Sequence, residues 1–197
     1  NGHEEVNTGQ GSTDTGELQQ LFDKEVSERS PRDNFFHCLV NAAHQFHNRA
    51  SNDDRYILAG YPWFKSRARD TFIALPGLTL SIEEQDYFEL VMKTAERGLR
   101  EFMEGKPLSV KIYEIEQPDV LLWAVWAIQQ YEKHVGSEKC FQMYGALLKD
   151  IVYYIIDGKH PNLILKENGL LYSNGREKAV TWMNSTVNGR PVVPRTG

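Results

Sequence analysis

The residues best equipped for chemistry stand in three short clusters. The first is Gly60-Tyr61-Pro62-Trp63-Phe64-Lys65-Ser66-Arg67-Ala68-Arg69-Asp70-Thr71. It combines a rigid turn with aromatic platforms, cations and a carboxylate. Arg69-Asp70 sets a planar donor fork beside a two-oxygen acceptor. Neighbouring hydroxyls of a sugar can bond to both while Trp63 stacks on the sugar face. A helix N-cap at Asp70 beside a surface arginine explains the same pair equally well. The second cluster is Pro118-Asp119-Val120-Leu121-Leu122-Trp123-Ala124-Val125-Trp126. Asp119 falls in the first turn of an expected helix, where the macrodipole favours a carboxylate. Trp123 and Trp126 are one turn apart, and core packing is the readier explanation for both. The third is Ala179-Val180-Thr181-Trp182-Met183-Asn184, with Arg195 after it. A Trp followed by polar residues on a loop can face a pocket. His37, His44 and His47 lie near one face of an expected helix. A metal would need a carboxylate or a fourth ligand converging on them, and none is evident nearby. No metal and no other cofactor is expected.

Composition narrows the partners. The chain has 197 residues, with 22 Lys plus Arg against 27 Asp plus Glu, a formal net charge of −5. A mildly acidic chain is poorly suited to the phosphate backbone, so no nucleic acid is expected. No apolar stretch reaches the length of a membrane span, so no membrane is expected either. Cys38 and Cys140 make neither a disulfide framework nor a metal spacing. The aromatic content, 4 Trp, 9 Tyr and 9 Phe, suits a core with rings to spare for a ligand that has apolar faces and hydroxyls. The chain begins at Asn1, and no basic segment leads into an apolar one. A cytoplasmic piece of a longer protein is the expectation.

The elements that must hold these residues follow from periodicity. Residues 1–16 are polar and glycine-rich and read as a flexible lead-in. A helix should start at Glu17, with Leu18, Leu21, Phe22 and Val26 on one face, and stop before Pro31. Asp33 is placed to cap a second helix, which runs to about Arg49. Tyr56–Trp63 reads as extended. A short helix from Asp70 should end at Pro76-Gly77, and a Ser81/Glu84 capping box should open a long helix to about Met103. Pro118 to Val135 and Ser137 to Gly158 give two more. Asn168-Gly169, Asn174-Gly175 and Asn188-Gly189 each suit a tight turn with positive φ, so the short runs around them, Leu163–Lys166, Leu170–Tyr172, Ala179–Trp182 and Val192–Val193, should form irregular β hairpins or long ordered loops. The expected class is all-α.

The three clusters, in this order, resemble the glucosidase domain of glycogen debranching enzymes, the amylo-α-1,6-glucosidase type. Asp33-Asn34-Phe35 with Ala42-Ala43-His44-Gln45-Phe46 looks like the family's opening helix. Leu58-Ala59-Gly60-Tyr61-Pro62-Trp63-Phe64, Arg69-Asp70-Thr71 and Ala74-Leu75-Pro76-Gly77-Leu78 are the most specific stretch. Asp119 with Leu122-Trp123, and then Gly169-Leu170-Leu171-Tyr172, Thr181-Trp182-Met183 and Pro194-Arg195, complete the likeness.

The resemblance implies an (α/α)6 toroid that hydrolyses α-1,6-linked glucose stubs of a branched α-glucan, with inversion. Trp63, Arg69 and Asp70 should then hold the terminal glucose, with Asp119 and Trp123 beside them. Trp182 and Asn184 should stand at the general-acid position, and Arg195 should orient them. Where the family's motif continues with an Asp, this chain has Asn184, and an amide has no proton to give at neutral pH. Arg67-Ala68 also replaces the family's Trp-Gly. Twelve helices of about 12 residues with loops of about 5 need at least ~200 residues. Residues 17–197 are therefore expected to be the first half of the ring, with the general base outside them. An inactive carbohydrate-binding relative is the alternative, and a helical interaction module another. Apolar faces left open by a half ring would favour a homodimer.

Overall fold

The computed structural model describes residues 15–61, 63–176 and 178–197; most of the expected lead-in, Pro62 and Glu177 lie outside them. The chain divides into two compact units, Asn1–Ala42 and Ala43–Gly197. In the first, α1 (Thr15–Glu28) starts two residues before the expected Glu17. Its apolar stripe of Leu18, Leu21, Phe22 and Val26 is exposed. α2 (Phe35–His44) follows. The Asn41 amide pins the connection between them. Its Nδ2 donates to the Ser30 carbonyl at 2.9 Å, and its Oδ1 accepts from the Ser30 N–H at 3.0 Å. Asn34 caps α2 in place of Asp33: its Oδ1 accepts from the His37 N–H at 2.9 Å. Asp33 is taken instead by the His37 ring at 2.6 Å.

The second unit begins with a departure from expectation. α2 stops at His44 instead of continuing to Arg49, and β1 (His47–Arg49) pairs antiparallel with β2 (Arg55–Ile57). Local apolar periodicity favours a helix here, but strand pairing satisfies the same backbone groups and lets Tyr56 and Ile57 enter the core. The buried Asp54 carboxylate anchors the hairpin. It accepts from Arg97 at 2.6 Å, from Asn52 at 2.8 Å and from the Tyr56 hydroxyl at 3.2 Å. The Arg55 N–H donates to Thr94 Oγ1 at 3.1 Å, which ties β2 to the next long helix.

α3 (Ala68–Leu78) starts earlier than expected and runs through Pro76. A proline this close to the C-terminus removes one late hydrogen bond, and burial of the residue accompanies it. The Ser81/Glu84 capping box does not form. Ser81 lies in a 3-10 turn, Leu80–Ile82, and Glu84 makes no side-chain cap for α4 (Gln85–Met103). α5 (Val120–Val135) and α6 (Ser137–Ile156) meet at Gly136, whose φ of 89° lets the chain reverse.

α3 packs on α5, α5 on α6, and α4 on β2. Their common core includes Phe72, Leu121, Ile128 and Leu147, with Phe88 stacked on Tyr131 at 4.8 Å between ring centroids. Among the described residues no helix is long and apolar enough to cross a membrane.

Two of the three Asn-Gly pairs close hairpins. β3 (Ile164–Leu165) pairs with β4 (Leu171–Tyr172) around Asn168-Gly169, and β5 (Thr186–Val187) with β6 (Arg190–Pro191) around Asn188-Gly189. Asn188 and Gly189 both have positive φ, 50° and 75°, as a two-residue hairpin turn requires. Asn174-Gly175 closes no hairpin. Gly175 serves close approach instead: a Cβ there would lie 1.6 Å from the Arg195 carbonyl oxygen. The runs Ala179–Trp182 and Val192–Val193 are ordered loop, with no strand. Among the described residues the architecture is thus helix-rich, with three small strand pairs.

Burial by itself would raise the Asp54 pKa. The hydrogen bonds from Arg97, Asn52 and Tyr56 and the Arg97 charge outweigh it and hold the carboxyl below its usual range. A depressed carboxylate contributes stability above its unfolded pKa of about 4 and loses it as pH falls through the folded value. Asp54→Asn should therefore cost about 2 kcal/mol at pH 7 and progressively less as pH drops below about 4. Urea melts of both proteins across that range check this.

Candidate functional site

The turn that carries Trp63 is closed at its base. The Phe64 N–H donates to the Gly60 carbonyl at 3.2 Å, and the Ala59 N–H to the Lys65 carbonyl at 3.1 Å. Trp63 is left 80% exposed at its tip. From Ser66 the chain is held by Tyr113: the Tyr113 N–H reaches the Ser66 carbonyl and the Ala68 N–H reaches the Tyr113 carbonyl, each at 2.9 Å. This bridge sets the start of α3, so Arg69 and Asp70 fall in its first turn. Successive residues of a helix point about 100° apart, and the two side chains separate accordingly. Arg69 turns inward and its side chain is 5% exposed, while Asp70 faces solvent.

Arg69 meets Asp119 across fifty residues of sequence. Nε donates to Oδ2 at 2.7 Å and an Nη to Oδ1 at 2.8 Å, a bidentate pair. Trp123 Nε1 also donates to Asp119 Oδ2 at 3.2 Å. Asp119 precedes α5 without capping it, because its oxygens are engaged by the arginine and the indole. Trp123 packs edge-on against Trp126, with ring centroids 5.5 Å apart. Arg69, Asp119 and Trp123 are thus one cluster.

A family model described as amylo-alpha-1,6-glucosidase matches residues 40–197. The chain belongs to this family. No curated protein and no solved structure matches it. Within the family match, the third group of expected residues forms its own cluster on the C-terminal loops. The Arg195 guanidinium lies 5.9 Å from the Trp182 ring centroid and donates to Met183 Sδ at 3.0 Å. Asn184 follows Met183, half-buried. No hydrogen bond or ion pair among the described residues joins this loop to Arg69, Asp70, Asp119 or Trp123.

Two features lie outside the sequence expectations. A cavity of about 540 Å³ opens beside the Trp63 turn, lined by Tyr61, Phe64, Lys65, Lys111 and Tyr113 among others. Its aromatic and cationic walls include residues fifty positions apart, so no local pattern marks it. The second is a carboxylate that does converge on the histidines. His44 Nε2 lies 2.5 Å from Glu84 Oε1, forty residues away, and His47 Nδ1 lies 3.6 Å from Glu84 Oε2. His37 is not part of this group; it pairs with Asp33. Burial lowers the His47 pKa, against the raising effects of its bond to the Leu78 carbonyl and of Glu84.

Removing one partner of a desolvated pair leaves the other charge uncompensated, which costs about 3–5 kcal/mol. Asp119→Ala should lower stability by about 3 kcal/mol. Asp119→Asn, which keeps one acceptor oxygen, should cost less. Urea unfolding followed by tryptophan fluorescence distinguishes the two.

Proposed function

We propose that this chain forms the glucose-recognition part of a glucosidase that removes α-1,6-linked glucose from branched, glycogen-like α-glucan with inversion. The observation that carries this reading is the buried Arg69–Asp119 pair. It joins two of the stretches that resemble the family, and the helical turn that supplies Arg69 also exposes Asp70. In this reading Asp70 accepts from hydroxyls of the terminal glucose and Trp63 stacks on its face. Arg69 orients Asp119 and keeps Trp123 against the pocket wall. The neighbour relations of α3 with α5 and of α5 with α6 support their placement as part of an (α/α)6 ring.

Inversion needs one carboxylic acid to protonate the glycosidic oxygen and one carboxylate to activate water on the opposite face. Asn184 stands at the acid position by resemblance, with Trp182 as its wall and Arg195 holding that segment. Its amide can donate a hydrogen bond to the glycosidic oxygen but has no proton to transfer. The test is glucose release from a phosphorylase-trimmed branched dextrin by the protein at its natural length. We expect release, which assigns the acid to a residue other than Asn184, and a loss of at least ~100-fold in kcat/KM on Asp70→Asn. If only Asn184→Asp releases glucose, the protein is instead a carbohydrate-binding relative that lacks the acid.

A second reading concerns association. α6 exposes Phe141, Val152, Tyr153 and Ile156, a row of large apolar groups on an otherwise amphipathic helix. This supports pairing of two copies through that face. Gel filtration at high concentration should show a dimer that Phe141→Glu with Val152→Glu returns to a monomer; a monomeric wild type would end this reading.

A further inference from the structure

His44, His47 and Glu84 form a group that the sugar pocket does not use. One possible ligand atom from each lies within 4.8 Å of the other two. The three come from different elements: the last residue of α2, the first of β1 and the residue before α4. Their side chains are partly exposed, so an ion and its water can reach them.

The His47 ring is held on two sides. It stacks on Tyr87, with centroids 3.9 Å apart and planes 11° from parallel. Its Nε2 sits 3.0 Å from the Leu78 carbonyl oxygen. A carbonyl only accepts, so Nε2 carries the proton, and in the neutral ring Nδ1 is a lone pair. That lone pair faces Glu84 Oε2 at 3.6 Å. Two acceptors therefore oppose each other with no proton of their own to share. A cation between them would turn this repulsion into two bonds. A backbone carbonyl on the far nitrogen is also the partner that orients a metal-binding histidine and fixes its tautomer.

We propose that His44 Nε2, His47 Nδ1 and the Glu84 carboxylate bind one divalent transition-metal ion of the zinc class, with water in the fourth position. Two imidazoles and a carboxylate suit zinc, which takes each at about 2.0–2.2 Å. Tetrahedral ligands at that radius stand about 3.3 Å from one another. The His47–Glu84 separation is already close to this. The His44–Glu84 hydrogen bond must open by about 0.8 Å, and the His44 proton moves to Nδ1 as the metal takes Nε2. The ion would clamp the start of the β1–β2 hairpin to the start of α4. The inference does not depend on the glucan reading, and its test needs no sugar.

Zinc is titrated into the metal-stripped chain by calorimetry, and cobalt is followed by its visible absorption. We expect one equivalent to bind, with the intense visible bands of four-coordinate cobalt, and zinc to raise the Tm by about 5 °C. His44→Ala and Glu84→Gln should each weaken binding by more than the 10–100-fold typical of losing an outer partner of a metal ligand. Circular dichroism shows whether each variant keeps its fold. Absence of saturable binding in the wild type overturns the proposal, as does binding that both folded variants retain. Zinc affinity that disappears with Cys38→Ser while both variants bind normally assigns the metal elsewhere and overturns it too.

Discussion

The contact between the Arg69 guanidinium and the Asp119 carboxylate sits where α3 and α5 begin, and both helices take their places from it. Each partner is largely removed from water, so neither charge can be left without the other. The bidentate geometry fixes the guanidinium plane as well as its position. That constraint propagates in both directions. On one side it sets the first turn of α3, and with it the direction in which Asp70 emerges. On the other it places Trp123, whose indole shares the same carboxylate, and through Trp123 the edge-on contact with Trp126. The Tyr113 bridge ahead of α3 does the remaining work by fixing where the helix starts.

The same competition between local and distant partners recurs elsewhere. Glu84 has the spacing of a capping residue, yet its carboxylate lies against His44. Asp33 has the chemistry of a helix cap, yet the His37 ring takes it and Asn34 caps instead. Asp119 precedes a helix and still makes no side-chain cap for it. In each case a stronger, charge-assisted partner displaces a cap worth about 1 kcal/mol. Polar residues next to helix starts in this chain are thus a guide to its side-chain clusters more than to its helix boundaries.

In the glucosidase reading, the position with the largest chemical consequence is Asn184, whose amide would stand where an acid is needed. Its neighbours remain suited to a pocket: Trp182 is exposed, and Arg195 spans the ring and the Met183 sulfur. Gly175 allows the backbone of Arg195 to come close, and the Ser173 N–H donates to the Gly197 carbonyl at 2.9 Å beside it. A pocket can keep its walls while its proton chemistry changes, because stacking and hydrogen bonding depend on shape whereas protonation depends on one group's acidity.

The long helices were legible from sequence because an apolar period of 3.6 extends over four or five turns in α4, α5 and α6, and Gly136 marks the stop between two of them. The two hairpins at Asn168-Gly169 and Asn188-Gly189 were legible because positive φ has few residue types to serve it. The family was legible from ordered stretches such as Leu58–Phe64 and Arg69-Asp70-Thr71. Tertiary structure alone decided that His47–Arg49 is a strand, since a three-residue segment has too little periodicity to outweigh its pairing with Arg55–Ile57. It alone decided that Arg69 faces inward while Asp70 faces out, that Glu84 reaches two histidines, and that Tyr113 borders a cavity with Phe64. These depend on groups brought together from forty or fifty residues apart, and chain spacing carries no record of which distant charge will be desolvated against which.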